Sequence, residues 1–262
     1  MHVRLTLAIG AMLAIGICTG PASDPAAPAS TSPAAGPVIR AATPQGVRSA
    51  SGLGWYSSNW AGYALAAGPY RSVTGQWTVP TVSPTGRSSY SAQWVGVDGV
   101  SNESLIQAGT QANFVNGTPG YSAWWEILPA PAVAIRTLTV RPGDVISVTI
   151  ARVSARRWRI TLKDSRSGSF TTVRDYAGPA ASAEWIEEAP FVGWHIPPLA
   201  AHGPVVFDNA TVNGTRAQLS IADAGAMLRR GVVVDTPSAP DADGNGFAVA
   251  QQATLPDQPI QT

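Results

Sequence analysis

Residues 157–163 read Arg157-Trp158-Arg159-Ile160-Thr161-Leu162-Lys163, with Trp158, Ile160 and Leu162 alternating against three cations and a threonine. Period two is the spacing of a strand with one face buried and the other wet. The same texture recurs along the chain. Val73, Gly75, Trp77 and Val79 fall on one face of a segment that Pro80 closes. Val145–Val153 is rich in β-branched residues and is opened by a Pro142-Gly143-Asp144 turn, and Val205–Val212 reads as a further strand. Over Arg216–Ile221, Ala217, Leu219 and Ile221 alternate with Arg216, Gln218 and Ser220, which predicts another. No long segment carries helical periodicity with caps. Strands separated by Gly, Pro, Asn and Asp turns predict an all-β, antiparallel sandwich or barrel.

The rest of the composition agrees. Of 262 residues, 13% are charged and 45% hydrophobic, so a sizeable core is within reach. Net charge is +1, and no basic run extends beyond Arg156, Arg157 and Arg159, which argues against a nucleic-acid partner. The single cysteine, Cys18, excludes disulfides within the chain, cysteine zinc sites and a cysteine nucleophile in the domain.

Four regions are expected. Residues 1–22 read as a signal peptide, because His2 and Arg4 precede an uncharged apolar run over 5–17 that is too short to span a bilayer. The rival reading is a lipoprotein signal ending at Cys18, for which Ile17 is a poor fit. Residues 23–52, rich in Pro and Ala, read as a propeptide or linker. Residues 53–236 hold the domain, and 237–262, rich in Pro, Asp, Gly and Gln, read as a loose tail. The expected product is a secreted monomer, free of the membrane once the signal is removed.

Candidate chemistry is sparse. His195 and His202 are the only histidines after His2. They lack a nucleophile-elbow context, no Gly-x-Ser-x-Gly occurs, and they are poorly spaced for a metal, so both read as loop histidines and no metal or cofactor is expected. Three of only five glutamates lie in Ala183-Glu184-Trp185-Ile186-Glu187-Glu188. On a strand, Glu184, Ile186 and Glu188 share one face, and Trp185 and Glu187 share the other. Two carboxylates on one face mark either a solvated surface or an acid/base site. Gln107, in Leu105-Ile106-Gln107-Ala108-Gly109, is a polar group that needs partners if buried.

Ser58-Asn59-Trp60-Ala61-Gly62, Trp94-Val95-Gly96-Val97-Asp98-Gly99, the Gln107 segment, Ala123-Trp124-Trp125-Glu126 and the Glu188 segment occur in that order. Together they resemble the glutamic peptidases, the eqolisin family of secreted acid endopeptidases. The resemblance covers roughly residues 57–213. It implies a concanavalin-like jelly roll, an antiparallel two-sheet β-sandwich whose curved sheet bears the substrate groove. It implies a catalytic pair of Gln107 and Glu188, with Trp94 beside the site and Asp98 a supporting acid. Asn59, Trp60, Trp124 and Glu126 match groove or support positions. Ser122, where fungal members have Asp, and Ile127 and Leu128, where aromatic residues often stand, are departures bearing on substrate preference.

The resemblance also implies hydrolysis of protein or peptide substrates in acid, insensitive to pepstatin. Glu188 would deprotonate water and then protonate the leaving amine, and must therefore start ionised, with a pKa below the working pH. The Gln107 amide would donate to the oxyanion and orient the water. Two other readings compete: a lectin-like sandwich binding glycans on its tryptophans, and a glycoside hydrolase using two of Glu126, Glu184 and Glu188. A Gln as the key partner of Glu188 favours the peptidase; a second acid favours the glycosidase.

Overall fold

The structure, a computed structural model, describes residues 53–193 and 195–251. The signal and propeptide or linker regions lie outside the described residues. In chain order the strands are β1 (Trp55–Ser57), β2 (Trp60–Leu65), β3 (Ser72–Thr78), β4 (Val82–Ser83), β5 (Ala92–Val97), β6 (Ile106–Val115), β7 (Thr118–Ile127), β8 (Val133–Ala134) and β9 (Val145–Arg152). They continue with β10 (Arg157–Asp164), β11 (Gly168–Asp175), β12 (Ala183–Glu188), β13 (Ala201–His202), β14 (Val205–Val212), β15 (Thr215–Arg216), β16 (Ala224–Arg229), β17 (Val232–Pro237) and β18 (Phe247–Ala250). One 3-10 turn, Ile221–Asp223, is the only helical element among the described residues.

The strands form an antiparallel β-sandwich. One sheet runs β16-β2-β12-β5-β6-β7-β8, with β1 joined in parallel to β16. The other runs β11-β10-β9-β3-β14-β18. Strand β17 links them: Val232–Asp235 pairs with β16, and Thr236–Pro237 pairs with β18. The order ends on β11 and β8, so the sheet is not a closed barrel.

The alternation that predicts β10 is realised residue by residue. Trp158, Ile160 and Leu162 are buried between the sheets, and Arg157, Arg159 and Lys163 are exposed. Val73 and Trp77 of β3, Ile146, Val148 and Ile150 of β9, and Trp185 of β12 join the same core. Each such side chain contributes about 1.5–3 kcal/mol of transfer free energy when fully buried.

Two expectations fail. The segment 216–221 is not a strand beyond Arg216: Gln218 takes a positive φ of 54° and Ile221 is exposed, although Ala217 and Leu219 are buried. Alternation alone does not register a left-handed residue that breaks the pleat. The stretch after residue 236 is not a loose tail as far as Ala250. Phe247–Ala250 is fully buried between β14 and β17. Its four apolar residues follow an Asp/Gly/Asn turn whose composition conceals a short central strand. Residues 252–262 lie outside the described residues.

Candidate active site

Strand pairing builds the site. On the outer face of the first sheet, one row of neighbours reads Trp60, Glu188, Ala92, Gln111 and Ser122. The next same-face row reads Gly62, Ile186, Trp94, Gly109 and Trp124, and the one after it reads Ala64, Glu184, Gly96, Gln107 and Glu126. Trp60, Trp94, Trp124, Leu105 and Ile186 form an apolar floor, with Trp55, Leu128 and Ala132 packed against it. Trp60 meets Trp94 edge to face at 4.6 Å.

Two glycines aim Trp94. A Cβ on Gly96 would lie 2.8 Å from Cζ3 of Trp94, and one on Gly109 would lie 2.1 Å from the Gln93 carbonyl oxygen. The benzo edge of Trp94 therefore lies over Gly96, and its Nε1 turns the other way. That N–H donates to Glu188 Oε2 at 2.7 Å. Glu188 Oε1 accepts from Asn59 Nδ2 at 3.1 Å, and Asn59 Oδ1 in turn accepts from the Ser57 hydroxyl.

Glu188 is 4% exposed. Burial pushes its carboxyl up to about 8; the Trp94 N–H pulls it down, a neighbouring Glu126 charge adds to the rise, and Trp60 and Asn59 oppose it. Desolvation thus outweighs the donors that the protein itself supplies to Glu188, and a water or substrate donor bound there acts in the opposite sense. Gln107 is buried and donates from Nε2 to Glu126 Oε2 at 2.6 Å. Burial lifts Glu126 to about 7, against the opposing pull of Gln107 and the Ala132 backbone.

The structure thus gathers Asn59, Trp60, Trp94 and Glu188, and links Gln107 to them through Glu126. Buried on this face, Gln107 Oε1 and Trp124 Nε1 have no hydrogen-bond partner among the described residues. Buried polar groups are almost always satisfied, so unmet ones at one place are a mark of a site that receives something.

Glu184 shares the face but differs in kind. It is fully buried, and desolvation, against the opposing pull of the Ser182 hydroxyl, raises its pKa well above the usual range. Asp98 does not sit with Glu188. Its carboxylate accepts from the backbone N–H groups of Ala180 and Ala181, from Tyr176 and from Asn102, and so ties the 176–182 segment to the end of β5. The reading of His202 as a plain loop histidine also fails: its side chain is buried against Glu187 at 3.1 Å. Only the pairing of β13 beside the core reveals this. His195 is exposed, and no cluster of metal-binding side chains occurs among the described residues.

Residues 58–236 match the Peptidase A4 family. Aspergillopepsin-2 of Aspergillus niger is 31% identical over 198 residues, which are 66% of this chain and 70% of that protein. Scytalido-glutamic peptidase, solved with a transition state analog inhibitor, superposes with a TM-score of 0.64 at 23% identity, over 74% of this chain and 98% of that one. Aspergilloglutamic peptidase from Aspergillus niger gives a TM-score of 0.54 at 26% identity, over 63% of this chain and 99% of that one. The chain belongs to the Peptidase A4 family, the eqolisins. It is accordingly a hydrolase, a glutamic-type endopeptidase, which sets aside the lectin and glycosidase readings.

Proposed function

We propose that the chain is a secreted endopeptidase that hydrolyses protein substrates in acid solution with Glu188 and Gln107 as its catalytic pair. The observation that carries the assignment is the contrast between the two same-face glutamates of β12. Glu188 has a donor on each oxygen, Asn59 Nδ2 and the Trp94 N–H, whereas the burial of Glu184 is opposed only by the Ser182 hydroxyl and its pKa is pushed well above the usual range. Donors favour the ionised form, and only an ionised carboxylate takes a proton from water.

In this reading a water lies between Glu188 and Gln107. Its O–H donates to the Glu188 carboxylate, which opposes the rise that burial imposes on the carboxyl's pKa. Glu188 removes the proton as the water oxygen attacks the peptide carbonyl. The Gln107 amide, oriented by Glu126, donates to the developing oxyanion and is uncharged at any pH. Glu188 then delivers the proton to the amine nitrogen as the C–N bond breaks. A raised pKa makes the carboxylate a stronger base while thinning its population as pH falls, so the acid limb of kcat/KM reports Glu188. The unmet N–H of Trp124 is a donor for the peptide backbone.

Secretion is supported by the sequence of residues 1–22, and residues 23–52 would then precede the mature domain as a propeptide or linker. No helix among the described residues is long and apolar enough to cross a membrane. The test is cleavage of an unfolded protein by the full chain from pH 2 to 7 with pepstatin present. Pepstatin-resistant cleavage is expected. A folded, processed protein that cleaves nothing over this range would overturn the proposal.

A further inference from the structure

Behind the catalytic face, inside the sandwich, runs a chain of buried polar groups that the peptide chemistry does not use. Trp77 Nε1 on β3 donates to Thr110 Oγ1 on β6 at 2.9 Å. The Thr110 hydroxyl donates to Gln93 Oε1 on β5 at 3.3 Å, and Gln93 Nε2 donates to Glu187 Oε2 on β12 at 2.8 Å. From the other side, His202 Nε2 on β13 lies 3.1 Å from Glu187 Oε1. Gln93 Nε2 also donates to Ser91 Oγ at 3.2 Å, and Glu187 is the acceptor at which the chain ends. Its chain neighbour, Glu188, faces the opposite way into the site. Gln93 likewise precedes Trp94, which donates to Glu188.

The geometry around His202 selects a protonation state. Nε2 faces the Glu187 carboxylate, and Nδ1 faces the Gly203 carbonyl at 2.7 Å. Both are acceptors. A neutral imidazole has one N–H and meets only one of them; the imidazolium meets both.

We propose that the His202 imidazolium is a positioning group for catalysis: by clamping Glu187 it fixes the catalytic end of β12, and losing its proton releases that end and with it Glu188. The titratable groups around the ring are Glu187 on β12 and Asp235 on β17; Gln93 and Gln251 are the uncharged neighbours. Although desolvation alone would lower His202, Glu187, the Gly203 carbonyl and Asp235 raise it to about 9. A folded pKa above the ordinary value of about 6.5 means that the contribution is complete below 6.5 and is lost as pH rises through 9. Asp235 acts in the same sense. Burial, then Glu187, raises its pKa well above the usual range, with His202 and the Thr236 N–H opposing, so it too favours the fold in acid. The cluster is therefore built for a protein that works below neutrality and lets go in alkali.

The proposal rests on Glu188 as the catalytic base, and its test separates the two. Ring-nitrogen NMR of the wild-type protein reads His202 without reference to activity. An imidazolium at pH 7, turning neutral near pH 9, is expected; a neutral ring at pH 7 overturns the proposal. Steady-state kinetics of His202→Gln then read the clamp. The expected result is a fall in kcat of tenfold or more with KM within twofold, and an alkaline limb that no longer follows a single group near 9. The double variant Glu187→Gln/His202→Gln removes both charges and should recover thermal stability and part of kcat. A His202→Gln protein with the kcat and pH profile of the wild type refutes the clamp even if the ring is charged.

Discussion

Replacing Trp94 by Phe removes a single N–H from the Glu188 carboxylate, the proposed base, while keeping an aromatic ring against Trp60. The bond lost is the 2.7 Å contact to Glu188 Oε2. A hydrogen bond to a charged group contributes about 1.5–3 kcal/mol. At about 1.36 kcal/mol per pKa unit, Glu188 should rise by roughly 1–2 units above its value in the wild type. The sign follows from the role: the N–H favours the carboxylate, so its loss favours the acid, and less base is present at any given pH. The acid limb of kcat/KM should move by roughly 1–2 units to higher pH, and well below that limb cleavage should slow by about 10–100-fold. The assay is a pH profile of kcat/KM on a fluorogenic peptide, run beside Trp158→Phe. Trp158 lies in the core of the opposite sheet, so that change should lower Tm and leave the limb where it is. A Trp94→Phe protein whose acid limb coincides with the wild type would show that Glu188 is not the group being titrated.

Three further outcomes are expected. Gln107→Ala should lose about 10²–10³ in kcat, the usual cost of one oxyanion donor, as measured by steady-state kinetics; a loss under threefold would remove Gln107 from the chemistry. Glu126→Gln keeps an acceptor for the Gln107 N–H but deletes the charge that raises Glu188, so the acid limb should move to lower pH, opposite to Trp94→Phe. Asp235→Asn should match wild-type Tm in strong acid and exceed it increasingly as pH rises, because Asp235 has a folded pKa above its ordinary 3.8 and opposes folding once it must ionise; parallel Tm curves would contradict this.

What the sequence showed depended on how local the determinant was. The pattern in 157–163 is a one-strand property, and it carried over intact to β10. Asn59, Trp94 and Glu188, each carried by one of the five motifs, meet through strand pairing. The failures lie in backbone angles and in long-range contacts, neither of which a side-chain pattern carries. Gln218 carries a backbone angle that no side-chain pattern reports. Phe247–Ala250 becomes a strand because β14 and β17 leave a gap of its width. His202 is ordinary until it meets Glu187, 15 residues away in the chain. Asp98 lies in a motif beside Trp94, yet the positive φ of 72° at its own position turns it towards the 176–182 segment rather than the site. The donors to Glu188, Asn59 and Trp94, lie within the motifs, but the depth of burial that opposes them does not show there.

The central claim is that Glu188 is the base. The most direct test is cleavage of an unfolded protein by Glu188→Gln beside the wild type, with the Tm of both measured. A folded variant with cleavage reduced by at least about 10³-fold at every pH from 2 to 7 is expected, since an amide cannot take the proton from water. A folded variant that still cleaves within tenfold of the wild type would contradict it.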